Sequence, residues 1–319
     1  MNKEKILNSK KSGVFGANLF VLIIMVLYIA FSMALTFIAP KIPNTLYSKI
    51  MVSFVLPQVI ILLGSTIVYL KITKKSFKKV LRLNKVSGKS LLIILGIFIC
   101  IYPVLAFANL LSLYIFPSMG VAIQNTFSGI PLVVKLCVIA LMPAIFEEIT
   151  MRGVALSGYD GISIGKSAIV IGFFFGTLHR NGNQFAYAFI MGIVFAYIVR
   201  ITNSIIPSMI CHFVYNGFST VLAHFIPQKA TSTDPTAMID MATIISLSVI
   251  TAICVMIIIL LIRKLAEVNN YSDERQVENF KRENNITGKI KIFNWPFIGV
   301  IIMCVYSIGL ELVRLYLLN

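Results

Sequence analysis

The sequence predicts an all-α, polytopic transmembrane helix bundle of about eight or nine membrane segments, and three observations predict it. The 319 residues are 58% hydrophobic and only 13% charged, with a mean hydropathy of +0.90, far from the balance of a soluble domain. Apolar runs long enough to cross a bilayer recur along the chain. The net charge of +16, from 28 Lys and Arg against 12 Asp and Glu, is concentrated between those runs. That is the pattern of cytoplasmic loops, so the expected partner is a lipid bilayer and no nucleic acid is expected.

The first run, about residues 15 to 38, follows Lys3, Lys5, Lys10 and Lys11. It exceeds the roughly 7 to 15 apolar residues of a signal-peptide core, so it reads as a retained signal anchor. A spanning helix needs about 20 apolar residues, and the runs near 50–70, 89–115, 131–156, 204–226, 240–262 and 293–316 supply them. The loop from 71 to 90 carries Lys71, Lys74, Lys75, Lys78, Lys79, Arg82, Lys85 and Lys89, whereas 116 to 130 carries no charge. The positive-inside rule then places the N-terminus, Arg200 and the stretch from Arg263 to Lys291 in the cytoplasm, with the C-terminus outside if the last run spans.

Two shorter runs, 167–179 and 185–199, would each be only about 20 Å long as helices, against a hydrocarbon core of about 30 Å. Between them lies the polar turn Arg180-Asn181-Gly182-Asn183-Gln184, whose backbone groups survive at membrane depth only inside protein or beside water. The pair reads as a hairpin near 167–199 that turns within the membrane or near its outer edge. The chain thus divides into N-terminal helices over 1–130, a core over 131–226, and C-terminal helices over 227–319 with a charged connector at 263–292. Cys100, Cys137, Cys211, Cys254 and Cys304 all lie in apolar segments without C-x-x-C spacing, indicating neither a disulfide framework nor a cysteine metal site.

Ionisable side chains inside a membrane segment cost at least ~2.5 kcal/mol each, so they are functional candidates with partners to be found. Glu148 and Arg152 are four apart on one helix face and form a natural ion pair. Glu147 is rotated about 100° away and lacks a sequence-local cation, which leaves it available as a general base or metal ligand. Pro143, four residues before it, removes a helix hydrogen bond and should kink the helix there.

Taken alone, each histidine reads as a helix-packing residue. Depth alters that reading, because Glu147, His179 and His212 fall roughly 12 to 24 Å above the same membrane face. Asn216 is one turn from His212 on the same face. Such a set can cleave an amide: Glu147 with His179 deprotonates a water, directly or through a divalent metal such as zinc held by Glu147, His179 and His212. His212 with Asn216 donates to the developing oxyanion. Cys211 points about 100° away from His212, which argues against a thiol dyad. His224 lies about 18 Å further along and stands apart. Lys135 and Lys166 sit near helix ends, where snorkelling is the simple account, and the Phe173-Phe174-Phe175 run reads as helix packing and lipid contact.

The segment Glu147-Glu148-Ile149-Thr150-Met151-Arg152 resembles an E-E-x-x-x-R motif, Phe175 to His179 an F-x-x-x-H motif, and His212 to Asn216 an H-x-x-x-N motif. In this order the three resemble the CAAX-protease and bacteriocin-processing (CPBP, or Abi) family, over roughly residues 131 to 226. The resemblance implies an integral membrane endopeptidase, of glutamic or metallo type, in a bacterial plasma membrane. Its substrate would be a membrane-associated peptide or protein, in a CAAX-protease, bacteriocin-maturation or self-immunity setting. It implies Glu147 and His179 as water-activating residues, His212 and Asn216 as oxyanion donors, and Glu148 and Arg152 in support. The rival classes are a non-catalytic membrane immunity or binding protein of the same fold, and a proton-coupled transporter, for which no internal repeat is found. Oligomeric state and cleavage sequence are not legible here.

Overall fold

The computed structural model describes residues 13–226 and 240–317, and these are helical throughout, without strands. Lys3, Lys5, Lys10 and Lys11 lie outside the described residues. Helix α1 (Val14–Ile38) is followed by α2 (Leu46–Thr73), whose start is capped by Thr45 accepting from the Ser48 N–H. The short α3 (Phe77–Leu81) leads to α4 (Gly88–Leu113) and α5 (Met119–Thr126), capped by Ser87 and Ser118 in the same way. Helix α6 (132–157) carries the two glutamates, and α7 (Ile164–Leu178), α8 (Gly182–Thr202) and α9 (Ile206–Phe225) follow. Beyond them lie α10 (Met241–Val268), the surface helix α11 (Asp273–Glu283) and α12 (Trp295–Leu317).

By length and composition, α1, α2, α4, α8, α10 and α12 can each cross a membrane. Helices α6 and α9 run among them, and α7 is a shorter apolar helix. The protein is therefore an integral membrane helix bundle. Its lipid-facing surface explains why α10 exposes Ile245, Val249, Ile253, Met256 and Leu260, which no soluble fold would leave uncovered.

The hairpin differs from its sequence expectation in one arm. Helix α7 has 15 residues, but α8 has 21, about 31 Å at 1.5 Å per residue, and is long and apolar enough to cross a membrane. Counting apolar residues cut it short because its first turn holds Asn183 and Gln184 and its last holds Arg200 and Thr202. Tertiary burial solvates these polar residues: Asn183 donates to Asn109 Oδ1 and Ser112 Oγ, and Arg200 donates to the Tyr159 and Ile162 carbonyls. The two helices meet at glycines. A Cβ on Gly192 would stand 2.5 Å from Gly172 Cα, and one on Gly172 would stand 2.7 Å from the Phe189 carbonyl oxygen, so only glycine permits this backbone approach.

Helix α6 is not uniformly α-helical. Its hydrogen-bond ladder widens to π-type turns at Leu136–Leu141 and Ile149–Ala155, on either side of the regular Met142–Glu148 segment. Pro143 accounts for part of this, since it offers no N–H to the carbonyl of Ile139 four residues earlier. At the end of the bundle rich in basic residues, Asp160 pairs with Arg82 at 2.6 Å and Arg200 at 3.6 Å. Asp273, at the start of α11, accepts from the Ile164 N–H at 3.0 Å and lies 3.8 Å from Arg200. This clamp joins the α2–α4 loop, the turn before α7, the end of α8 and the surface helix. Asn18 of α1 is fully buried and hydrogen-bonded to Tyr159, Asn294 and the Ile292 carbonyl, tying the first helix to the last.

Candidate active site

The site lies where α6, α7, α8 and α9 meet. Arg152 and Glu148 are both completely buried, with Arg152 Nη1 3.0 Å from Glu148 Oε1. Two aromatic rings lie against the guanidinium, with its Cζ 4.0 Å from the Phe175 centroid and 5.4 Å from that of Phe195. The carboxylate and the rings offset the cost of burying this charge in part, while Arg152 Nε and Nη2 and Glu148 Oε2 have no hydrogen-bond partner.

The same Glu148 oxygen accepts from His212 Nδ1 at 2.9 Å. This contact fixes both the ring plane and the tautomer of His212 and leaves Nε2 as its working nitrogen. Nε2 faces Glu147, whose Oε2 is 3.9 Å away and buried without a hydrogen-bond partner. The adjacent glutamates thus occupy different environments, one locked to a cation and a histidine, the other with a buried oxygen that has no hydrogen-bond partner. Tyr28 of α1 and Tyr187 of α8 lie within electrostatic range of Glu147.

His179 ends α7, one turn beyond Phe175. The Phe175 ring packs steeply against both histidines, its centroid 5.3 Å from that of His179 and 5.8 Å from that of His212. Phe175 is therefore a wall of the site and not a lipid contact, which corrects the sequence reading of the Phe173-Phe174-Phe175 run. The F-x-x-x-H spacing, which stacks the two rings on one face, held that signal. After His179 the chain turns through Arg180 at φ +57°, and the Arg180 guanidinium sits 4.3 Å from the Tyr28 ring centroid. Asn181 caps α8 by accepting from the Gln184 N–H, and Gln184 Nε2 donates to Tyr187 Oη at 3.1 Å. These polar-turn residues were noted as a group in the sequence, but their connection to Tyr187 was not legible there.

Asn216 Nδ2 donates to the Ile139 carbonyl at 3.1 Å. That is the carbonyl Pro143 cannot serve, so Asn216 bridges α9 to the irregular turn of α6 that presents the glutamates. One of its amide protons is thereby committed. His224 stands apart from the site, as its spacing predicts.

For a metal, the arrangement supplies two converging donors, Glu147 Oε2 and His212 Nε2. Among the described residues no three His, Cys, Asp or Glu side chains gather as a metal-holding group. His179 lies across the Phe175 ring, and the donor set does not close a zinc site.

No curated protein and no solved structure matches the chain. A family model described as type II CAAX prenyl endopeptidase Rce1-like matches residues 129–218, which is 90 of the 319 residues. The matched stretch contains Glu147, Glu148, Arg152, Phe175, His179, His212 and Asn216, and the match supports membership of the CAAX-protease (CPBP) family.

Proposed function

We propose that the protein is an intramembrane endopeptidase of CAAX type that hydrolyses a peptide bond in a membrane-associated peptide or protein. Glu147 is its general base. The observation that carries this reading is the buried, unpartnered Glu147 Oε2 facing His212 Nε2, 3.9 Å apart. A water at ordinary hydrogen-bond distance from both, about 2.8 Å, completes a triangle with them. Glu147 takes the proton as the water oxygen attacks the scissile carbonyl, and the carbonyl electron pair becomes the oxyanion. Donors to that oxyanion come from His179 or the uncommitted Asn216 amide proton, since the one N–H of neutral His212 is spent on Glu148. Collapse expels the amine, which receives the proton held by Glu147. Glu148 and Arg152 hold His212 without touching substrate.

The basic loop 71–90 and the basic connector 263–292 lie on the cytoplasmic side in this reading, in a bacterial plasma membrane, with the turn between α5 and α6 outside. The test is cleavage of a membrane-presented peptide library by the purified protein in liposomes, with and without chelator. Glu147→Gln, nearly isosteric and non-basic, should leave the fold intact and reduce cleavage at least 1,000-fold, a loss of about 4 kcal/mol of barrier lowering. Wild-type protein that binds such peptides but releases no product under any condition would favour a non-catalytic immunity or binding protein. Loss of activity with chelator and recovery with zinc would move the chemistry to a metal.

A further inference from the structure

A second polar site lies near the opposite end of α9. Lys135, in the first turn of α6, is nine-tenths buried, and its Nζ stands 3.2 Å from His224 Nδ1. Snorkelling is thereby corrected: the ammonium turns inward to another helix and not out to the interface. A lysine is also poorly placed in the first turn of a helix, where the peptide dipoles repel a cation, so helix stability does not account for it. Lys135 and His224 open onto a cavity of about 420 Å³ bordered by Gln124, Ser128, Gly129 and Pro131, with no carboxylate among the residues that line it. Gln124 Nε2 is spent on the Ala223 carbonyl.

With Lys135 donating to His224 Nδ1, the ring proton sits on Nε2, and the remaining ammonium protons are also unspent. An open groove that presents a buried ammonium, without an acid among its lining, is complementary to an oxyanion. We infer that this cavity is an anion site, distinct from the Glu147 centre, that binds a phosphate group. Two sources share that chemistry: the headgroup of a phospholipid at the end of the bundle bearing the uncharged 116–130 loop, and phosphate from solution. The cavity opens beside the first turn of α6, at headgroup depth for a helix that spans, which makes the lipid the nearer supply.

Native mass spectrometry of protein released from phosphatidylglycerol nanodiscs reads the lipid source. Inorganic phosphate titrated into protein in a maltoside detergent, followed by the nitrogen-15 signals of the three histidines, reads the soluble one. Wild-type protein should retain phospholipid that Lys135→Met holds about tenfold more weakly, the scale of one charge-assisted hydrogen bond, while Lys135→Arg keeps it. His224→Phe, which leaves the ammonium in place and fills the ring's volume, should weaken retention similarly and serves if Lys135→Met does not fold. Equal retention by all variants, combined with a His224 signal that shifts on phosphate only when Lys135 is present, assigns the anion to solution and supports the site. Equal retention with an unshifted His224 in wild-type protein overturns it.

Discussion

Arg152 is held between a carboxylate and two aromatic faces, and the consequences of removing it differ from those of removing Glu147. Truncation of one partner of a buried ion pair strands the other charge, at a cost of about 3–5 kcal/mol. Arg152→Ala should therefore lower thermal stability in detergent sharply, by leaving Glu148 without its cation. Glu148→Gln retains the shape and a hydrogen-bonding oxygen, but the neutral amide no longer selects the Nδ1-protonated form of His212 as strongly. Its expected effect is a fall in kcat of about 10- to 100-fold, the scale of losing an outer partner of a working histidine, with KM nearly unchanged. An unaltered kcat for Glu148→Gln would remove the proposed coupling between the pair and His212. Full stability with lost cleavage for Arg152→Ala would place the arginine in the reaction itself. Helix periodicity was enough to pair Glu148 with Arg152 and to set Glu147 apart, because both are properties of a single helix. That Glu148 also holds His212 depends on a helix 64 residues away, and no local pattern encodes it.

The α7–α8 hairpin shows where reading elements from hydropathy stops. A run-length count treats Asn183, Gln184 and Arg200 as breaks, since in lipid they would be costly. Packed against α4 and the turn before α7, they are hydrogen-bonded and the helix continues through them. The glycines that join the hairpin give a direct prediction. Gly192→Ala places a Cβ within 2.5 Å of Gly172 Cα and must separate α7 from α8, costing about 1–3 kcal/mol as overpacking. Because His179 ends α7, cleavage should fall with stability; a thermal unfolding midpoint equal to wild type would show that the hairpin relaxes without cost. The irregular turns of α6 were foreseen only as a kink at Pro143. The hydrogen bond from Asn216 to the Ile139 carbonyl, which makes that break tolerable, joins residues 77 apart in sequence.

At the scale of the whole molecule, sidedness follows from charge. Cysteine introduced at Lys85, in the basic loop, should be labelled by a membrane-impermeant maleimide only after the cells are permeabilised. Cysteine at Asn125, in the uncharged segment, should be labelled in intact cells. Both side chains are exposed, and the five native cysteines lie within apolar helices. The reverse pattern would invert the topology and put the Lys135 cavity on the cytoplasmic side. The clamp of Arg82, Asp160, Arg200 and Asp273 gathers four segments at the basic end, and each of its contacts joins residues far apart in sequence.

The amino-acid sequence by itself determined that this chain lives in a membrane, that it is built of helices, and that three motifs resemble those of one membrane protease family. Those conclusions rest on hydropathy and on the 3.6-residue period, which act within one segment at a time. Tertiary structure alone decided how Glu148 orients His212, that Phe175 walls the site, that α8 is long enough to cross a membrane, and that Lys135 meets His224. Each of these depends on which helix faces which, and in lipid that choice is made by close packing of small residues and by pairing of buried polar groups between helices, quantities no single segment carries.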